Sequence, residues 1–135
     1  MIVSDTSLIA HLYLKGETSP LARQIVLRDP DWAAPFLWRS EFRNTLVKCI
    51  RAGILDRDKA FRVLGAAESL MAGGEYDPVS HDVLELAATT GCSAYDAEFV
   101  ALARELRVPL VTRDKELLRK FPETALTPGK FLARP

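Results

Sequence analysis

The chain has 135 residues, 48% hydrophobic and 27% charged, with 18 Lys+Arg balanced by 18 Asp+Glu. That length allows one domain, residues 1–135, with a core that needs no metal or disulfide staple. The neutral balance excludes a protein that coats nucleic acid by bulk charge. No apolar run reaches the ~18 residues of a membrane span. The zero has unlike parts: residues 1–62 carry +3, residues 63–103 carry −7 with no Lys or Arg, and residues 104–135 carry +4. The N-terminus lacks the basic start of a secretory leader. Cys49 and Cys92 fit no metal spacing and read as small buried hydrophobes, which together suggest a reduced, cytoplasmic setting.

In chain order, Ile2-Val3-Ser4 reads as a short buried strand, and Thr6 to Leu14 as a helix ended near Gly16. A second helix, Ser19 to Arg28, has Pro20 in its first turn and is broken by Asp29-Pro30. Trp32 to Pro35 forms a short strand, Leu37 to Ala52 a third helix, and Arg57 to Met71 a fourth behind an Asp56 cap. A weak strand over 75–77 precedes helices at 80–89 and 94–107. Leu110-Val111-Thr112 is a strand, Lys115 to Lys120 a short helix, 124–127 a last strand, and Pro128-Gly129 a terminal turn. Short apolar strands alternating with helices predict an α/β fold, a small and mostly parallel sheet sandwiched by helices.

Such sheets gather ligands at the C-terminal ends of their strands. Asp5 directly follows the first strand, and Asp114 lies just beyond the strand ending at Thr112. Both also suit helix N-caps. Around Asp96, the residues Tyr95, Phe99, Leu102, Ala103 and Leu106 form an apolar stripe. Asp96 falls about 60° from Phe99, inside the arc that faces the core. A capping box with Ser93 is the plainer reading. Glu41 lies a turn into the third helix, about 100° from Phe42, at the margin of the stripe Trp38, Phe42, Leu46 and Cys49. Its plainer reading is a solvated Glu paired with Thr45 or Arg39.

Jointly, three Asp at strand ends or helix starts and one Glu on a helix can converge into an all-oxygen site. Such ligands suit Mg²⁺ or Mn²⁺ rather than Zn²⁺. Sites of this type serve phosphoryl chemistry. His11 and His81 read as helix surface or core edge, without ligand partners.

Four segments carry a resemblance: V-S-D-T-S around Asp5, S-E-F-R-N-T-L around Glu41, S-A-Y-D-A around Asp96, and V-T-R-D ending at Asp114. They resemble the acidic motifs of PIN-domain ribonucleases, and the order of elements is similar to the VapC toxins of toxin–antitoxin pairs. The resemblance implies a Rossmann-like α/β/α sandwich and Mg²⁺- or Mn²⁺-dependent RNA cleavage. It places Asp5, Glu41, Asp96 and Asp114 as catalytic and metal-holding residues, with Ser7, Asn44 and Thr112 in support. Asn44 could hold Glu41 in place; a plain helix-surface amide is the alternative. Glu98 is an extra acid not assigned to metal. The resemblance also implies a VapB-type antitoxin partner and a homodimer.

A metal-activated water would leave 5′-phosphate and 3′-hydroxyl ends. Arg39, Arg43, Arg113 and Lys115 flank the acids and are candidates for an RNA-receiving rim, with solvated helix charges as the alternative. Helices two to four carry apolar residues beyond what one small sheet needs, among them Leu21, Ile25, Phe36, Val47, Ile50, Phe61 and Leu64, so part of this set should form an exposed patch. Two other readings compete. A phosphatase with Asp5 as nucleophile would want D-x-D, and Ser7 stands at the second place. A catalytically silent PIN-like module would only bind RNA or a protein.

Overall fold

A computed structural model describes residues 1–16 and 19–135. Eight helices and five strands follow one another among these residues. The first half contains β1 (Ile2–Ser4), α1 (Thr6–Tyr13), α2 (Ser19–Arg28), β2 (Trp32–Pro35), α3 (Leu37–Arg51) and α4 (Arg57–Met71). The second contains β3 (Glu75–Tyr76), α5 (Ser80–Thr90), α6 (Ala94–Leu106), β4 (Leu110–Val111), α7 (Lys115–Lys120), β5 (Ala125–Leu126) and α8 (Pro128–Leu132). The predicted elements are all present, with ends moved by a residue or two. One differs in kind: the terminal turn is a helix. Pro128 sits in its first turn and Thr127 Oγ1 accepts the Lys130 N–H at 3.2 Å, so Pro-Gly opens a helix instead of ending the chain in a turn.

The five strands form one parallel sheet in the order β3-β2-β1-β4-β5. Strand β1 is central, with Val3 paired to Ala33 on one side and to Leu110 on the other. Right-handed crossovers then place α1 to α4 on one face and α5 to α7 on the other. α6 packs across β1, β2 and β4, and α8 returns to pack on α2. Strands covered on both faces are largely apolar, and β1, β2 and β4 are buried at every residue, with Ser4 the one buried hydroxyl among them. Trp32, Trp38, Phe42 and Phe121 are the largest fully buried side chains.

Two burial expectations are corrected, and the expected division of the apolar surplus is seen. Tyr95 is 65% exposed, outside the core stripe that Phe99, Leu102 and Ala103 do enter. It stands in the first turn of α6, where the helix emerges beyond its packing partners. Cys49 and Cys92 are free and only half-buried. Of the apolar surplus, Ile25 is core, while Phe36, Val47 and Phe61 are exposed.

The order reverses between β1 and β4, so chain leaving these neighbouring strands diverges and opens a crevice at their C-terminal ends. Asp5 and Thr112 stand there.

Candidate active site

Asp5 leaves β1 in an extended conformation and caps α1, where its Oδ1 accepts the Leu8 N–H at 2.8 Å. Its Oδ2 accepts the Thr112 hydroxyl at 2.5 Å. Thr112 is fully buried at the end of β4, and its Oγ1 in turn accepts the Asp114 N–H at 3.0 Å. Asp114 caps α7 through Oδ1, which accepts the Leu117 N–H at 3.0 Å. The capping reading and the site reading therefore coexist. Each cap engages one carboxylate oxygen, and one buried hydroxyl ties the first acidic segment to the last.

Glu41 reaches the crevice from α3. Thr6 holds it, donating from Oγ1 to Glu41 Oε1 at 2.7 Å. Asn44 does not supply that bond, and the Thr45 hydroxyl donates to the Glu41 backbone carbonyl at 3.1 Å. Thr6 was missed from sequence because it looked like a helix-start residue; only the packing of α1 on α3 brings it to Glu41. Asp96 stands half-buried in the first turn of α6, its N–H donating to Ser93 Oγ at 3.0 Å.

The carboxylates feel one another. Burial lifts the Asp5 carboxyl from 3.8 to about 6; hydrogen bonds from Thr112 and Leu8 oppose this, and the charges of Asp114 and Glu41 add to it. Burial, then the charge of Asp114, raises Asp96, against Ser93 and the Lys120 ammonium. Burial also raises Glu98, with Asp77 and Glu41 adding to the effect. Asp5, Glu41, Asp96 and Asp114 thus share one acidic neighbourhood, which extends through Glu98 toward Asp77. Among the described residues, no three His, Cys, Asp or Glu side chains are drawn close enough to ligate one ion. The donor chemistry nevertheless fits a hard divalent cation, because the neighbourhood offers carboxylates without thiolate or imidazole. Lys120 also escaped the sequence reading; it lies half-buried near Asp96 and 3.9 Å from Glu116.

The remaining predicted residues are dispersed around the acidic neighbourhood and beyond it. Ser7 and Asn44 are exposed and line a cavity beside Glu41 with His11 and Thr45. Arg113 lies close enough to His11 to hold its imidazole below the usual value, behind the larger effect of burial. Lys115 is exposed at the start of α7. Arg39 is spent elsewhere: its guanidinium grips Glu75 at 2.6 and 2.8 Å and Glu68 at 3.1 Å, while Trp38 Nε1 also donates to Glu75 at 2.7 Å. Arg43 borders an apolar groove between α3 and α4, with Arg57 at the same rim.

Fold and site together define an α/β protein with an acidic centre at the switch point of its sheet. The PIN domain family matches residues 2–123, and the chain belongs to that family. Ribonuclease VapC3 of Pyrobaculum aerophilum is 34% identical over 124 residues, covering 90% of this chain and 95% of that protein. The crystal structure of PAE2754 from Pyrobaculum aerophilum superposes with a TM-score of 0.78 at 26% identity, covering 98% of this chain and 94% of that one. A toxin–antitoxin complex from Klebsiella pneumoniae has the same fold, with a TM-score of 0.67 at 16% identity, covering 95% of this chain and 98% of that one. So does FitAcB from Neisseria gonorrhoeae, with a TM-score of 0.71 at 20% identity and coverage of 96% and 99%.

Proposed function

We propose that the protein is a Mg²⁺- or Mn²⁺-dependent endoribonuclease, the toxin of a type II toxin–antitoxin pair. The observation that carries this reading is the shared acidic neighbourhood of Asp5, Glu41, Asp96 and Asp114, in a chain 34% identical to Ribonuclease VapC3. Carboxylates of this neighbourhood would supply the oxygen ligands of the cation. When bound, it activates water and neutralises charge on the scissile phosphodiester. Thr112 and Thr6 orient Asp5 and Glu41 by donating to one oxygen of each. The caps of α1 and α7 fix Asp5 and Asp114 just beyond the ends of β1 and β4. Arg113, Lys115 and Lys120 supply positive charge near the carboxylates to receive RNA phosphates.

The antitoxin belongs to the proposal through the groove between α3 and α4. Leu46, Val47, Ile50, Ala60, Phe61 and Leu64 line it, and Arg43 and Arg57 flank it. That pattern suits an apolar segment with acidic flanks. A homodimer completes the reading, measurable by light scattering of the pure protein.

The test incubates RNA with pure protein in Mn²⁺ or EDTA, beside Asp96→Asn. Cleavage should need the metal and the wild-type Asp96, and leave 5′-phosphate and 3′-hydroxyl ends. Equal degradation by both proteins, or 2′,3′-cyclic phosphate ends, would sink it. RNA bound but never cut would establish the silent-module reading instead.

A further inference from the structure

We infer that the cavity beside Glu41 is a nucleobase subsite that selects the residue of RNA next to the cleaved bond; this rests on the ribonuclease reading above. The cavity encloses about 410 Å³, within the size range of small-ligand sites. It shares Thr6 and Glu41 with the acidic centre, so whatever fills it adjoins the reacting phosphate.

Its lining has two characters. Ala10 and Leu14 offer apolar surface, while Ser7, His11, Asn44 and Thr45 offer hydroxyls, an amide and an imidazole. A heterocycle has the same division, an apolar face and a polar edge, and bases of unpaired RNA are read in this way. The described residues lining the cavity include no Lys or Arg, and Glu41 contributes negative charge. The lining itself thus offers a phosphate no cation, the nearby Arg113 standing outside it, and an uncharged base needs none.

Asn44 is the reader. Its amide is exposed and, among the described residues, no hydrogen bond engages it. One amide presents a donor and an acceptor side by side, the pairing that distinguishes base edges. His11 adds a second polar group. Its buried Nδ1 has no partner among the described residues, a state that buried polar atoms of purely structural residues rarely show. Burial, then the charge of Arg113, disfavours the charged imidazole, which suits an uncharged partner better than phosphate. Neither the N-terminal capping of α1 nor the packing of α3 requires Asn44, so its position is open to serve recognition.

Two measurements decide the matter. In the first, each nucleoside 5′-monophosphate is titrated in EDTA into the full chain, followed by NMR, with inorganic phosphate as control. Resonances of Ser7, His11 and Asn44 should move, for one base more than the others, and phosphate should leave them in place. Asn44→Ala should weaken that binding by about fivefold, the lower end of one paired base contact. In the second, a long RNA is digested with wild type, Asn44→Ala and His11→Gln, and sites are compared within each digest. The ratios among cleaved sites should shift at a single position beside the cut, a readout independent of total activity. Nucleotide binding without any wild-type cleavage would overturn the ribonuclease reading and leave the cavity as a nucleotide site. Cleavage with unchanged site ratios in both variants would overturn the subsite and leave the ribonuclease reading intact. Resonances that stay still, or move equally with phosphate, would also overturn it.

Discussion

Asp5 concentrates the conflict between holding a fold and holding a site. Its carboxyl ordinarily titrates near 3.8 and in the fold near 6. Folding therefore favours the protonated form, and the metal-free protein loses stability as pH rises from about 4 through 6. Above that window the loss reaches about 3 kcal/mol, as an upper figure. Asn at this position can keep the Leu8 cap through Oδ1 and face Thr112 with its NH₂ group. In EDTA, Asp5→Asn should melt above wild type at pH 8, with the gap closing by pH 4; scanning calorimetry across that range checks it. Adding Mn²⁺ at pH 8 should raise the wild-type melting temperature and leave that of the variant nearly unchanged. Asp5, Asp96 and Asp114 were legible in sequence because strand ends and helix starts locate them, and Glu41 because it stands at the margin of an apolar helical stripe. Thr6 and Lys120 were not, because their proximity to Glu41 and Asp96 comes only from packing between elements distant in the chain.

Element ends were the most legible part of the fold, because their signals are local. Asp5, Asp56, Ser93, Asp114 and Thr127 each accept a backbone N–H as a helix begins. Gly91 closes α5 in the left-handed region. The exception is α6, which ends on Arg107 at φ 57 where glycine is favoured. Arg107→Gly should therefore stabilise the protein by about 0.5–1 kcal/mol, seen as a small rise in denaturant midpoint. Gly74 shows a different need. A Cβ there would stand 2.1 Å from the backbone oxygen of Trp32, where the chain joins β2. Gly74→Ala should cost about 3 kcal/mol, since backbone must move to admit it. Circular dichroism melts read both. The clamp of Arg39 and Trp38 on Glu75 fixes α3 to the same sheet edge. Side chains at 3.6-residue spacing could suggest which face Arg39 occupies, but not that a two-residue strand would deliver Glu75 to it.

For the whole molecule, the unequal charge segments acquire a spatial meaning. Asp96 comes from the acidic middle and meets Asp5, Glu41 and Asp114 from the basic flanks. The parallel sheet was legible from alternation, yet the division of apolar residues between core and surface was not. Leu46 and Val47 are neighbours in sequence and both line the groove of α3 and α4, but Leu46 is buried and Val47 is exposed. Phe61, 70% exposed, is the largest apolar group there. On the proposed toxin–antitoxin reading, Phe61→Asp should abolish or weaken the complex with the antitoxin by at least about tenfold, as a hot-spot aromatic does. Size-exclusion chromatography of the mixed proteins checks it.

The bond from Thr112 to Asp5 spans 107 residues. β1 is made before the other strands but sits at the centre of the sheet, and its neighbour β4 follows β2 and β3. On the ribosome, the first carboxylate must wait for most of the chain before its orienting hydroxyl emerges. Assembly of the acidic centre is thus a late event of synthesis, and a chain interrupted before β4 carries the first three acids without the arrangement that joins them.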